Sequence, residues 1–98
     1  MAMGGADTIS VAVSIEGRVQ GVWFRGWMVR EADAHGLRGW VRNRRDGTVE
    51  AVFVGPPKIV KDMVEACWSG PPAARVSAVR TSETDDPGVG DFDYLPTA

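Results

Sequence analysis

The stretch ISVAVSIEGRVQGVWFR, residues 9–25, decides how the chain begins to fold, because its hydrophobic period changes in the middle. Apolar residues alternate with small or polar ones as far as Glu16, which is the pattern of a half-buried strand. From Phe24 onwards, apolar residues recur at helical spacing. Gly17 and Gly21 lie between the two patterns. The stretch therefore predicts a strand, a glycine-containing loop and a helix.

The rest of the sequence extends this pattern to a complete small fold. The further predicted elements are strands over 37–43, 48–54 and 76–83, a helix between Pro57 and Gly70, and the option of a short fifth strand over 92–95. The order β-α-β-β-α-β is that of a ferredoxin-like α/β sandwich, an α+β fold with an antiparallel sheet and two helices on one face. In this topology the third strand runs between the first two, whose carboxyl ends share one rim. We therefore expect the 17–23 loop and Asn43 to converge there.

The loop and the start of the first helix have the features of an anion site. Backbone N–H groups of a glycine-punctuated loop can point inward together, and a helix N-terminus adds partial positive charge. Arg25 stands at that helix start, and its planar guanidinium matches the oxygens of a phosphate group. A cation there is opposed by the helix dipole, so its position needs a reason. These residues predict a phosphate-binding cradle.

Composition and charge restrict the partners. The 98 residues form one domain over 8–98, preceded by a flexible tail over 1–7, and carry a net charge of −2. Residues 16–45 hold seven arginines and three acidic residues, a local +4, so the remainder carries −6. This distribution favours a small anionic ligand over nucleic acid. The single cysteine, Cys67, fits a buried thiol in a cytoplasmic protein, and no apolar run is long enough for a membrane. We expect a monomer.

Four sequence segments together closely resemble the acylphosphatase family. They are GRVQGVWFR (17–25), GWVRN (39–43), DGTVE (46–50) and GPPAARV (70–76), and the likeness extends over about residues 9–92. The resemblance implies a hydrolase without metal or cofactor that splits the carboxyl-phosphate bond of acyl phosphates. It implies that Arg25 is catalytic and binds the phosphoryl group, and that Asn43 is catalytic and orients the attacking water. The phosphate-binding loop it implies consists of Arg18, Val19, Gln20, Gly21, Val22 and Trp23.

The residues themselves are compatible with this chemistry. The carboxylate of an acyl phosphate is a good leaving group, so hydrolysis needs charge stabilisation and a positioned water more than an acid–base pair. Neither the 17–25 segment nor the 39–43 segment contains a histidine or a carboxylate that could act as a general base. We therefore expect the substrate's own phosphate to accept the proton. Glu16, Glu31 and Asp33 lack partners at metal-ligand spacing, so no metal site is predicted. Inorganic phosphate and sulfate should compete with the small acyl phosphate substrate.

One alternative function stays open at this point, a ferredoxin-like module that binds RNA or a small anion without catalysis. RNA binding on this fold needs solvent-facing aromatic residues on the central strands, and the third strand offers only Phe53. Arg42, Arg44 and Arg45 are expected to form a solvated hairpin tip that attracts anions only at long range. Tyr94 departs from the family pattern, which has an apolar residue there, and leaves the packing of the last strand open.

Overall fold

The computed structural model describes residues 8–98 and contains five strands and two helices. In chain order these elements are β1 (Ile9–Arg18), α1 (Phe24–Ala34), β2 (Arg38–Asn43), β3 (Val49–Gly55), α2 (Pro57–Cys67), β4 (Arg75–Glu83) and β5 (Phe92–Tyr94). The predicted element order and the α+β class are confirmed, with boundaries that shift by one or two residues. The tail predicted over 1–7 lies outside the described residues.

The sheet brings the two predicted motifs to one end of the molecule. Its strand order is β4-β1-β3-β2-β5, so β3 separates β1 from β2, as the topology predicts. β3 is antiparallel to both neighbours, with Ile15 and Asn43 each opposite Val49. The carboxyl ends of β1 and β2 therefore lie at the same end of the sheet. The loop from β1 into α1 and the end of β2 meet there.

The short fifth strand is present and adds a parallel pair to an otherwise antiparallel sheet. Phe92 pairs with Gly39 and Tyr94 with Val41 along β2. Because β5 runs in the direction of β2, the residues after it continue towards the end of the sheet where β2 finishes. The chain beyond β5 thereby approaches the predicted site, which the linear order of the motifs does not indicate.

The core fills the space between the sheet and the two helices. Phe24, Met28 and Ala32 of α1 are buried at the predicted helical spacing, and α2 buries Val60, Met63 and Cys67. Burial raises the pKa of the Cys67 thiol to about 12, so the group is a neutral packing side chain at physiological pH. Neither helix among residues 8–98 has the length and apolarity that a membrane crossing requires.

Candidate active site

The loop after β1 begins at a bulge that only glycine fits. The pairing of β1 with β4 shifts register between Glu16 and Gly17, and Gly17 has a φ of 122°. A Cβ at Gly17 would collide with the backbone carbonyl of Arg75, so a side chain is excluded by space as well as by conformation. Pairing with β4 continues after the bulge as far as Arg18, and the chain then enters the loop that leads to α1.

This loop leaves a run of backbone donors without partners. Gly21 and Trp23 have φ values of 75° and 69°, and left-handed residues in a tight loop are the geometry from which anion-binding concavities are made. Within residues 8–98, the N–H groups of residues 20–25 donate to no backbone or side-chain acceptor. The last two belong to the first turn of α1, where such groups are free by construction. The loop therefore presents consecutive donors beside a helix N-terminus.

Gln20 fixes the loop against the hairpin that joins β2 and β3. Its Nε2 donates to the carbonyl oxygens of Arg44, at 2.7 Å, and Thr48, at 2.9 Å. The hairpin itself is closed by Asp46, whose carboxylate accepts from the Thr48 backbone N–H and hydroxyl. These bonds connect the two predicted motifs directly, since Asn43 lies at the start of the same hairpin.

Arg25 is contacted by the end of β5 and the residue after it. Its Nη1 donates to the carbonyl oxygen of Leu95 at 3.3 Å, and its Cζ lies 4.6 Å from the centroid of the Tyr94 ring. Within the described residues no carboxylate forms an ion pair with it. The guanidinium therefore keeps its full charge and most of its N–H donors.

Asn43 is the only buried polar side chain among residues 8–98, with 9% of its surface exposed. Its carboxamide makes no hydrogen bond to another part of the described chain, although it borders a cleft. Residues 8–98 contain no fully buried side-chain nitrogen or oxygen without a partner, so the unbonded carboxamide is accessible from the cleft and available to a ligand or water. Its backbone carbonyl accepts from the N–H of Ala98 at 3.0 Å.

These groups border one small cleft of about 100 Å³, about the volume of three water molecules in the liquid. Its lining residues are Val19, Gly21, Trp23, Phe24, Arg25, Gly26, Asn43 and Tyr94. The structure thus brings five of the eight predicted site residues to the cleft wall. Arg18, Gln20 and Val22 are not among the lining residues. Gln20 supports the loop from behind, and Arg18 ends β1.

Trp23 forms the exposed rim of the cleft. It is a non-glycine residue in the left-handed region, and its side chain is 55% exposed. A Cβ at Gly26 would collide with the Trp23 indole, so the absence of a side chain there lets the ring lie against α1. The guanidinium of Arg30 lies 5.6 Å from the Trp23 ring. Backbone strain of this kind is concentrated at functional sites.

A larger groove of about 440 Å³ lies on the open face of the sheet, but both of its cations are paired with carboxylates. Arg80 is paired with Glu16 at 2.6 Å, and Arg44 with Glu50 at 3.1 Å. The small cleft has the unpaired cation and the free donors, so we assign the anion site to it despite its smaller volume.

The expectation of a solvated arginine hairpin tip is wrong for Arg42, which lies within β2 and is 28% exposed, whereas Arg44 is 43% exposed but is paired rather than free. Arg42 and Arg44 both bond to the Glu50 carboxylate, and Arg42 also stacks on Trp40 with 4.8 Å to the ring centroid. Cross-strand pairing of Arg42 with Glu50 brings these charges together. Partial burial would raise the pKa of Glu50, but the hydrogen bonds from Arg42 and Arg44 outweigh it and hold that pKa below its usual value.

Two further structural features concern RNA binding and metal binding. Phe53 is fully buried and stacks against Phe92 in the core, with 5.7 Å between ring centroids, so it cannot stack on an RNA base. Residues 8–98 contain no cluster of three or more His, Cys, Asp or Glu that could hold a metal ion. The cleft itself is lined by cationic and neutral groups.

Tyr94, Leu95 and Ala98 are the functional-site residues that sequence reasoning missed. The departure of Tyr94 from the apolar pattern was the only available signal. The contacts of Leu95 and Ala98 use backbone atoms, which leave no trace in side-chain identity.

Comparison with known proteins identifies relatives that match most of the chain. The sequence model of the acylphosphatase family matches residues 11–94. An acylphosphatase of Rhodospirillum rubrum is 50% identical over 88 residues, covering 90% of this chain and 97% of that protein. One from Bradyrhizobium diazoefficiens is 61% identical over 72 residues, covering 74% of this chain and 72% of that protein. The solved acylphosphatase of Coxiella burnetii superposes with a TM-score of 0.90 at 34% identity, covering 97% of this chain and 100% of that one.

Proposed function

The chain belongs to the acylphosphatase family and is a hydrolase acting on acyl phosphates, and from this premise we propose how its residues carry out the reaction. The observation that carries the proposal is the cleft in which an unpaired arginine, a run of free backbone N–H groups and an unbonded carboxamide face the same small volume. Each supplies one requirement of phosphoryl transfer to water.

Arg25 and the loop bind the phosphoryl group. The guanidinium can donate two parallel hydrogen bonds to phosphate oxygens, and the free N–H groups of the cleft-lining residues Gly21, Trp23 and Phe24 can donate to the remaining ones. In the transition state negative charge is spread over these oxygens and the leaving carboxylate, so donors already in place stabilise it without reorganisation. The α1 dipole adds to this field, because the bound anion lies at its positive end.

Asn43 orients the attacking water. Its carboxamide oxygen can accept from water while its amide nitrogen can donate, and neither function is used by another described residue. The role of the side chain is to hold the water in line with the bond that breaks. The proton of the water passes to a phosphoryl oxygen of the substrate, since no histidine, cysteine or carboxylate side chain lines the cleft.

The reaction proceeds without a metal ion. A divalent cation on a phosphate is ordinarily held by carboxylates, and the cleft walls carry an arginine, an asparagine and aromatic groups instead. A cation would be repelled by Arg25 and by the donor groups around it. The positive charge that magnesium supplies in many phosphoryl transfers comes here from the guanidinium and the helix terminus.

The same site and surface features indicate which anions compete with the substrate, the oligomeric state and the cellular location. Inorganic phosphate and sulfate share the shape and charge of the phosphoryl group and compete for the cleft. The exposed large apolar side chains of residues 8–98 are Ile9, Trp23, Trp68 and Tyr94, and two of these line the cleft, which favours a monomer. A buried, reduced Cys67 is compatible with a cytoplasmic location.

Hydrolysis of benzoyl phosphate in excess EDTA tests the proposal. We expect turnover to be unchanged by the chelator and to be inhibited competitively by phosphate and sulfate. Phosphate should also raise the melting temperature, because a ligand bound only by the folded state stabilises it by about 2.7 kcal/mol at a hundredfold excess over its Kd. Loss of turnover in EDTA with recovery on adding magnesium or zinc would contradict the metal-free mechanism. An unchanged melting temperature at saturating phosphate would contradict the preformed cradle.

A further inference from the structure

The segment from Tyr94 to Ala98 contacts both Arg25 and Asn43, which are supplied by different elements. We propose that this segment is a positioning element of the active site, with Tyr94 holding the phosphate-binding guanidinium and Ala98 holding the backbone of the water-orienting asparagine. The proposal rests on the roles proposed above for Arg25 and Asn43.

The Tyr94 ring can hold the Arg25 guanidinium in place without neutralising its charge. A carboxylate partner would fix the guanidinium but would compete with phosphate for it. An aromatic face at 4.6 Å attracts the cation through its quadrupole and occupies none of its N–H groups. The carbonyl oxygen of Leu95 takes one N–H at 3.3 Å, which leaves four for the ligand. The pair thus orients Arg25 and keeps it available.

Ala98 contacts the backbone of Asn43. β5 ends at Tyr94, but the segment stays attached to β2 and its hairpin, because the Leu95 N–H donates to the Val41 carbonyl at 2.9 Å. The Ala98 N–H then donates to the carbonyl of Asn43, and the Ala98 carbonyl accepts from the N–H of Arg45, both at 3.0 Å. Asn43 is therefore paired with β3 on one side and with this segment on the other.

The exposure of Tyr94 separates positioning from packing. Its side chain is 55% exposed and lines the cleft. A residue so exposed contributes little to the core, and the free energy of unfolding should depend only weakly on it. Its contact with Arg25 then has a functional consequence that can be measured apart from stability.

Tyr94→Leu and Tyr94→Phe test the first half, with Trp68→Leu as a control because Trp68 is similarly exposed, at 52%, and does not line the cleft. Loss of the cation–π contact should weaken phosphate binding by about twofold to fivefold in Tyr94→Leu, the range for a contact at an exposed site. Tyr94→Phe keeps the aromatic face and should bind phosphate as the wild type does. The melting temperature should move by less than about 4 °C in all three.

Ala98→Pro tests the second half, because proline removes the N–H that bonds to Asn43. Thr97→Pro is its control, since no hydrogen bond of the Thr97 N–H occurs among the described residues. We expect kcat for benzoyl phosphate to fall about twofold to tenfold in Ala98→Pro, the range that one backbone hydrogen bond supports. Phosphate affinity should stay within about twofold, because Arg25 keeps both of its contacts.

Each outcome bears on the proposal. Equal phosphate affinity in Tyr94→Leu and Tyr94→Phe would overturn the role of Tyr94, as would a loss explained by a large fall in melting temperature in both. Equal kcat in Ala98→Pro and Thr97→Pro would overturn the role of Ala98. If the wild-type protein neither hydrolyses benzoyl phosphate nor binds phosphate, the proposed mechanism fails instead, and the variants are not needed to see it.

Discussion

The side-chain nitrogen of Gln20 donates a 2.7 Å hydrogen bond to the carbonyl oxygen of Arg44, across a separation of 24 residues. A second bond from the same atom reaches Thr48. One side chain thereby connects the loop after β1, for which we propose phosphate binding, to the hairpin at whose start Asn43 lies. A substrate held by one motif can be attacked by a water held by the other only while the distance between them is kept.

Gln20→Met should loosen this connection, because methionine has a similar length and no N–H donor. We expect a loss of about 1–3 kcal/mol in the free energy of unfolding, from two hydrogen bonds that each contribute about 0.5–1.5 kcal/mol. Phosphate affinity and kcat should both fall several-fold, because these two hydrogen bonds would no longer connect the loop to the hairpin. Denaturant titration and steady-state kinetics measure the two effects. Kinetics like those of the wild type, with reduced stability, would mean that Gln20 is purely structural.

Arg25→Ala should remove most phosphate binding. Charge-assisted hydrogen bonds contribute about 1.5–3 kcal/mol, so affinity should fall by about tenfold to a hundredfold. Arg25→Lys should recover little of it, because a point charge does not reproduce a planar fork and stacks less well on Tyr94. Arg45→Ala, at an arginine that does not line the cleft, is the control and should bind phosphate nearly as the wild type does. Isothermal titration with phosphate gives all four values, and an Arg25→Lys variant of wild-type affinity would contradict the bidentate geometry.

Asn43→Ala should separate binding from chemistry. Misplacing a nucleophile by about 1 Å can cost on the order of a hundredfold in rate, so kcat should fall by about that factor while the inhibition constant of phosphate changes only a few-fold. Asn43→Asp keeps the size but places a negative charge beside the phosphate dianion, and we expect near-total loss of activity. An active Asn43→Asp would favour a general base in place of a neutral orienting group.

Acid should weaken the protein in part through Glu50. Burial opposes the shift, but hydrogen bonds from Arg42 and Arg44 lower the pKa of the folded state below the unfolded value of about 4.3. A depressed folded pKa contributes stability above the unfolded pKa, and this contribution is lost as pH falls through the folded value. Glu50→Gln should therefore lower the melting temperature at pH 7, by the equivalent of at most about 1 kcal/mol, and much less at pH 3. Equal differences at both pH values would refute the linkage.

Sequence reasoning succeeded where a side chain or a turn residue carries the information. The change of hydrophobic period after Glu16 and the glycine at position 17 predicted the loop, and the strand order predicted that Asn43 would lie near it. The carboxamide contacts of Gln20 were not predictable, because its acceptors are backbone carbonyls, which every residue has.

The charge pattern shows the same limit. Seven arginines in residues 16–45 indicated an anion site, but sequence could not separate the arginines that are paired from those that are free. Arg42 lies opposite Glu50 only because of the β2–β3 register, and Arg25 lies beside Tyr94 only because β5 runs parallel to β2. Both relationships are set by long-range pairing, which composition and local spacing do not encode.

The hydrogen bond from Arg25 to Leu95 spans 70 residues, and this span orders events during synthesis. A ribosome adds about 5–20 residues per second, so the loop, the hairpin and Asn43 leave it seconds before Leu95 does. In that interval the nascent chain can form β1, α1, β2 and β3 but holds its arginine without the Tyr94 ring or the Leu95 carbonyl. Full enzymatic turnover should then appear only after Tyr94 and Leu95 have emerged, and a chain stalled before them would be folded in part and less active.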